Sequence, residues 1–218
     1  MKSLSAPAFY RHLREKFPHT PTPKQTEALK ALSDFITRGD TGEVFLLKGY
    51  AGTGKTTLCR MFLENLDEKT EAAYIFNPKL DALQLLKAIN DEFGIASDTD
   101  SVKALIDRLN TFLLDKKAKG RRVLLLIDEA QRLKHDLMEE IRLLSNLERK
   151  DSKLLNIFFV GQNEFNEILM QPENRALMRR ITITYNIDPL DPTETCEYIR
   201  HRLKTAGAGY EIFSSAAM

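Results

Sequence analysis

Four short segments of this chain are apolar along almost their whole length: Val44 to Leu47, Ala72 to Phe76, Val123 to Ile127 and Leu154 to Val160. A strand with one face in water alternates apolar and polar residues. These do not, so both their faces must be covered. Ile181 to Ile187 reads as a fifth strand, and helical patterns fill the intervals. The first runs from Pro23, where Thr22 is a candidate N-cap and Gln25 completes a capping box. Ala28, Leu29, Leu32, Phe35 and Ile36 form its apolar face, and Gly39 ends it. Further helices are expected over Lys55 to Leu66, Asp81 to Phe93, Ser101 to Leu114, Lys134 to Leu147, Asn163 to Met170 and Glu173 to Met178. Strands alternating with helices imply an α/β fold: three α/β/α layers around a mostly parallel five-stranded sheet. Residues 1–22, polar and broken by Pro7, Pro18 and Pro21, read as a lead-in to a core spanning 23–189. From 190 to 218 the pattern is helical only. Asp191-Pro192-Thr193-Glu194 opens one helix, and Ser214 reads as the cap of another.

Between the first strand and the helix after it lies Gly49-Tyr50-Ala51-Gly52-Thr53-Gly54-Lys55-Thr56. This is G-x-x-x-x-G-K-[ST] in the strand-to-helix setting that gives the motif its meaning. Glycines let successive main-chain N–H groups point inward as an anion nest, and the helix start adds its unpaired N–H groups. The expected ligand is ATP with magnesium. Lys55 reaches the β and γ phosphates, Thr56 ligates the metal and Thr57 helps hold the α phosphate. A random chain of this length matches the pattern roughly once in a hundred, taking glycine at about 7%.

The third strand delivers Asp128 and Glu129 at its C-terminal end, the edge where parallel sheets place ligands. Neighbouring side chains on a strand point to opposite sides, so the two acids can take different tasks. Asp128 is expected to order the magnesium and Glu129 to polarise an attacking water. The adjacent glutamate favours hydrolysis over phosphoryl transfer, and the alternative is that the pair caps the next helix. Gln162, at the end of the fourth strand, is a candidate to position that water, or a loop amide satisfied by solvent. Arg175, Arg179 and Arg180 precede the fifth strand. Arg180 is the first choice for an arginine finger presented to a neighbouring subunit, against a local ion pair.

Other classes are disfavoured. Lys+Arg 32 against Asp+Glu 31 leaves a net charge of +1, so no global basic field points to nucleic acid. The Lys116, Lys117, Lys119, Arg121, Arg122 run reads as a solvated loop before a buried strand. Cys59 and Cys196 have no framework spacing, which suits a reducing, cytoplasmic setting. The four histidines show no ligand spacing. No apolar run approaches the roughly 18 residues of a membrane span, and the N-terminus lacks a signal sequence's apolar stretch.

With those residues placed, the chain resembles AAA+ ATPases of the general secretion pathway A type (ExeA/GspA-like), from about Gly42 to Ala208. The specific stretches are Ala73-Tyr74-Ile75-Phe76-Asn77-Pro78, Leu126-Ile127-Asp128-Glu129-Ala130-Gln131, Glu140 to Glu148, Val160-Gly161-Gln162, Arg180-Ile181-Thr182 and Tyr198 to Leu203. The resemblance implies an ASCE-type sheet, ATP hydrolysis, nucleotide-driven homo-oligomerisation and Gln162 in a sensor position. It also implies a protein partner in secretion-machinery or pilus assembly, with the chain as the cytoplasmic part of a membrane-associated protein. Relatives acting in transposition keep a nucleic-acid-associated ATPase open, and a nucleotide-binding switch with little turnover is a further alternative. Tyr50-Ala51 replaces the acidic residue usual in that loop, and Asn163 stands where proline is common. The lid pattern completes one helix, without the second sensor arginine. Separately, Pro21 to Leu29 and Leu46 to Lys55 resemble the glutamine motif and phosphate loop of superfamily 1 helicases. That similarity implies that Gln25 reads adenine, beside its capping role.

Overall fold

The computed structural model describes residues 5–17, 21–38, 43–149, 152–208 and 213. The helix end expected at Gly39 and the cap expected at Ser214 lie outside them. In chain order the strands are β1 (Val44–Gly49), β2 (Thr70–Ile75), β3 (Arg122–Ile127), the two-residue β4 (Glu148–Arg149) and β5 (Ser152–Lys153), β6 (Asn156–Gly161) and β7 (Ile181–Ile187). The helices are α1 (Ala6–Lys16), α2 (Pro23–Thr37), α3 (Lys55–Glu64), α4 (Ala82–Glu92), α5 (Val102–Ala118), α6 (His135–Leu144), α7 (Asn163–Met170), α8 (Arg175–Met178) and α9 (Pro192–Thr205).

Five strands form one sheet in the order β2-β3-β6-β1-β7, and every pairing in it is parallel. The expected sheet was mostly parallel; this one is wholly so. The small β4–β5 hairpin is antiparallel and stands apart. It had no sequence signal, because two residues per strand carry no periodicity.

Side chains alternate through the sheet into two separate cores. Val44, Leu46, Leu125, Ile127, Ile157 and Phe159 pack under α4, α5, α6 and α7. Phe45, Leu47, Leu124, Leu126, Phe158 and Val160 pack under α1, α2 and α3. This is why the strands read as continuous apolar runs: each successive residue meets a helix layer. Full burial of one such side chain contributes about 1.5–3 kcal/mol. Phe158 anchors the second core, with Phe45, Phe62 and Phe35 ring centroids at 5.2, 5.9 and 6.4 Å.

The segment read as a lead-in holds α1. Its Phe9 and Leu13 are buried against α2 and α3, and Phe9 meets Phe62 edge-on at 6.1 Å. Only two of its side chains are buried, too few to mark a core helix against a polar, proline-rich background. The capping box of α2 forms as expected: Gln25 N–H donates to Thr22 Oγ1, and Thr22 N–H donates to Gln25 Oε1. Asp191 and Glu194 make the same box at the start of α9, none of whose described residues is buried. The basic run is paired rather than free. Lys116 and Arg121 meet Glu71, Lys119 meets Asp115, and Arg122 meets Asp67. Among the described residues, no helix is long and apolar enough to cross a membrane.

Candidate nucleotide site

The chain leaves β1, runs out to β2 at the sheet edge, returns through β3 and β6 to β1's side, and ends on β7 at its other side. The direction of winding therefore reverses beside β1, the position where such sheets bind ligands. The glycine loop follows β1, the acid pair follows β3 and Gln162 follows β6, so all three emerge at one edge.

Gly49 ends β1 where only glycine fits. A Cβ there would come within 2.4 Å of the Ile187 carbonyl oxygen at the end of β7. Gly54 has φ 85°, a left-handed conformation that starts α3 and exposes its first N–H groups. A Cβ on Gly54 would lie 3.3 Å from Gln25 Nε2, so Gln25 adjoins the loop while its Oε1 stays in the capping box. Thr53 Oγ1 donates to Tyr50 O at 2.9 Å and tightens the turn. Tyr50 itself is 58% exposed, and Ala51, Gly52 and Thr57 are exposed as well.

Lys55 is buried, and its Nζ donates to Gly49 O at 2.9 Å and Tyr50 O at 2.6 Å. Burial holds this ammonium below the ordinary lysine range, partly offset by the Glu129 and Asp128 carboxylates. Among the described residues it makes no ion pair, so it is a cation suited to an incoming anion.

Asp128 is 1% exposed. Its Oδ2 accepts from Thr56 Oγ1 at 3.2 Å and Tyr74 OH at 3.0 Å, and its Oδ1 from Glu129 N–H at 2.8 Å. Burial, then the Asp128 carboxylate, hold the Tyr74 hydroxyl above the ordinary tyrosine range, so it remains a donor. Glu129 has φ 55° and ψ 39°, a left-handed conformation costing a glutamate about 1–3 kcal/mol. Gln131 Nε2 donates to Glu129 Oε2 at 2.7 Å, while Gln131 Oε1 accepts from Gln162 N–H at 3.1 Å. Arg132 Nε stands 3.6 Å from Glu129 Oε2, and Arg132 Nη1 donates to Asn77 Oδ1 at 2.8 Å.

The structure thus brings together Gln25, the loop, Lys55, Thr56, Asp128, Glu129 and the Gln162 main chain. Arg180 is elsewhere. Ile181 pairs with Val44, so Arg180 lies at the opposite end of the sheet, roughly 16 Å of strand away from the loop. Tyr74 and Gln131 were missed as site residues. Both lie within the family stretches quoted above. Nothing in their spacing shows that one reaches Asp128 and the other spans Glu129 and Gln162, since each contact crosses between elements.

The residues present fit a polyphosphate with a hard divalent cation. An ammonium without an ion-pair partner among the described residues lies against a glycine loop, next to a hydroxyl and a carboxylate, which are oxygen donors of the kind magnesium prefers.

Strand order, glycine loop and acid pair together define an AAA+ P-loop domain, a class of nucleotide-binding ATPases. The chain belongs to the AAA domain family, which matches residues 37–169. It is similar in particular to general secretion pathway protein A of Aeromonas hydrophila. The two are 43% identical over 180 residues, 82% of this chain and 33% of that protein. The chain thus spans about a third of that relative's length, and the resemblance read from the sequence is borne out. Among solved structures, Cdc6p from Pyrobaculum aerophilum aligns with TM-score 0.66 at 17% identity, covering 88% of this chain and 53% of its own. Drosophila ORC bound to DNA aligns with TM-score 0.65 at 18% identity, covering 91% and 50%. At such identities the likeness is one of fold.

Proposed function

We propose that this domain binds ATP with magnesium, hydrolyses it, and uses the cycle to assemble with copies of itself and to remodel or position a protein partner. The observation that carries the reading is the contact between Thr56 and Asp128 at 3.2 Å beside the buried Lys55. It unites the ends of two strands that are not neighbours in the sheet. In this reading the main-chain N–H groups of Gly49 to Thr57 and the Lys55 ammonium hold phosphates, and Gln25 faces the base. Thr56 and Asp128 hold the magnesium, which when bound neutralises charge on the phosphates. Glu129 accepts a proton from the attacking water, Gln162 orients that water, and Arg180 serves a neighbouring copy's site. A secretion or pilus-assembly partner is supported by the similarity to general secretion pathway protein A.

Calorimetry with Mg-ATP and a phosphate-release assay test this. Lys55→Ala should abolish binding heat. Glu129→Gln should keep it and lower turnover at least about a hundredfold, as loss of a general base does. No heat in the unaltered chain would sink the reading.

One observation favours a second reading, a nucleotide-binding switch with little turnover: Glu129 is already engaged by Gln131 and Arg132. Tight binding with slow turnover that Glu129→Gln leaves unchanged would select it. The paired basic run gives the nucleic-acid alternative no such support.

A further inference from the structure

The structure assigns to Tyr74 the role of a positioning residue that fixes the Asp128 carboxylate for its divalent cation. This rests on the magnesium reading above and adds a residue to it.

A carboxylate turns easily about its last side-chain bond, because sp³–sp² torsions are broad and roughly two-fold. A buried metal-facing acid therefore needs donors on both oxygens to hold one orientation. Asp128 Oδ1 is held by Glu129 N–H at 2.8 Å. Oδ2 has two donors, Thr56 Oγ1 at 3.2 Å and Tyr74 OH at 3.0 Å. Thr56 has a second duty, since its oxygen is the one that would face the cation. Tyr74 has none, so its hydroxyl is the side-chain donor free to stay on Asp128 throughout.

An ionised carboxylate offers about four lone-pair sites. Three are taken by these donors, and the one left is on Oδ1. The Tyr74 hydroxyl thus both stops the carboxylate turning and selects which oxygen stays open. Its ring is built in for the purpose. Tyr74 lies on β2 in register with Leu126 of β3, two residues before Asp128 on the adjoining strand. It packs partly buried against the second core and leans on Phe76 at 6.3 Å between centroids. The phenol is long enough to reach past the strand end, where a serine or threonine would fall short.

Partners of this kind, acting through a metal ligand, change metal affinity by about 10–100-fold when removed. The test is a Mn2+ titration of the whole chain in the presence of ADP, reading free Mn2+ by electron paramagnetic resonance, with the parent beside Tyr74→Phe. The variant keeps the ring and loses only the hydroxyl, and a melting curve for each protein reports folding. ADP affinity measured in EDTA separates the metal from the nucleotide. The expected result is Mn2+ affinity down by about 10–100-fold, with metal-free ADP affinity and melting little changed. Unchanged Mn2+ affinity overturns the assignment. An equal loss of metal-free ADP affinity also overturns it, since that marks a merely structural role. A parent that takes up ADP but no Mn2+ overturns the assignment while leaving nucleotide binding standing. A parent that takes up neither overturns the nucleotide reading as well.

Discussion

Single residues at this site are chosen by the atoms in contact with them. Gly49 ends β1 opposite Ile187 of β7, with the Ile187 carbonyl in the space a side chain would need. Gly49→Ala should therefore destabilise the fold by about 1–3 kcal/mol, the usual cost of overpacking, because a main-chain oxygen cannot rotate aside. Urea unfolding of the variant against the parent checks this. Gly52, at φ 81°, has nothing within 4 Å of a built Cβ, so alanine there strains only the backbone. The motif was fully legible at this scale, but the reason for each glycine was not. Position 49 answers to β7, which is over a hundred residues away in sequence.

At the scale of elements, β2 and β3 begin under one clamp. Arg122 pairs with Asp67 and donates to Thr70 Oγ1 at 3.2 Å, while Thr70 donates to Asp67 Oδ1 at 2.7 Å. Burial alone would raise the Asp67 carboxyl, but the bonds from Arg122 and Thr70 outweigh it and hold it below its ordinary value. The folded protein then binds fewer protons than the unfolded chain as pH drops toward the carboxylate range. Its stabilisation is complete above about pH 4 and is lost as pH falls through the lower, folded value. Asp67→Asn should lower stability at neutral pH and flatten its decline below about pH 4, read from urea midpoints across a pH series. Elements with a long apolar period, such as α2, were legible almost to the residue, and its cap was readable as well. By contrast α1 was lost, because two buried side chains and no acidic first turn leave little pattern. The charge run before β3 looked solvent-facing until the fold supplied Glu71 and Asp67 as its partners.

Across the whole molecule, the placement of Arg180 matters most. It immediately precedes β7, beside the start of β1 and at the far end of the sheet from its own phosphate loop. A side chain there cannot serve the site of its own chain, so a role in catalysis requires a second copy. It makes no ion pair among the described residues, and neither do Arg175 and Arg179. Arg180→Ala should abolish ATP-dependent assembly in light scattering and lower turnover by about a thousandfold or more, the range for arginine fingers. Binding of nucleotide by the isolated chain should survive. If the variant assembles and turns over like the parent, Arg180 has no role in trans.

By itself the sequence determined the fold class and picked out the loop and the acid pair. Two-sided apolar strands, helical periods and a phosphate-binding motif are all written in neighbouring residues, over spans of a dozen positions or fewer. Tertiary structure alone decided the rest: which strand lies beside β1, why Gly49 admits no side chain, that Tyr74 donates to Asp128, that Gln131 spans Glu129 and Gln162, and that Arg180 lies at the far end of the sheet. Those facts depend on strand order and register. These are set by how two cores close around one sheet, and no local pattern records which distant residues that closure makes neighbours.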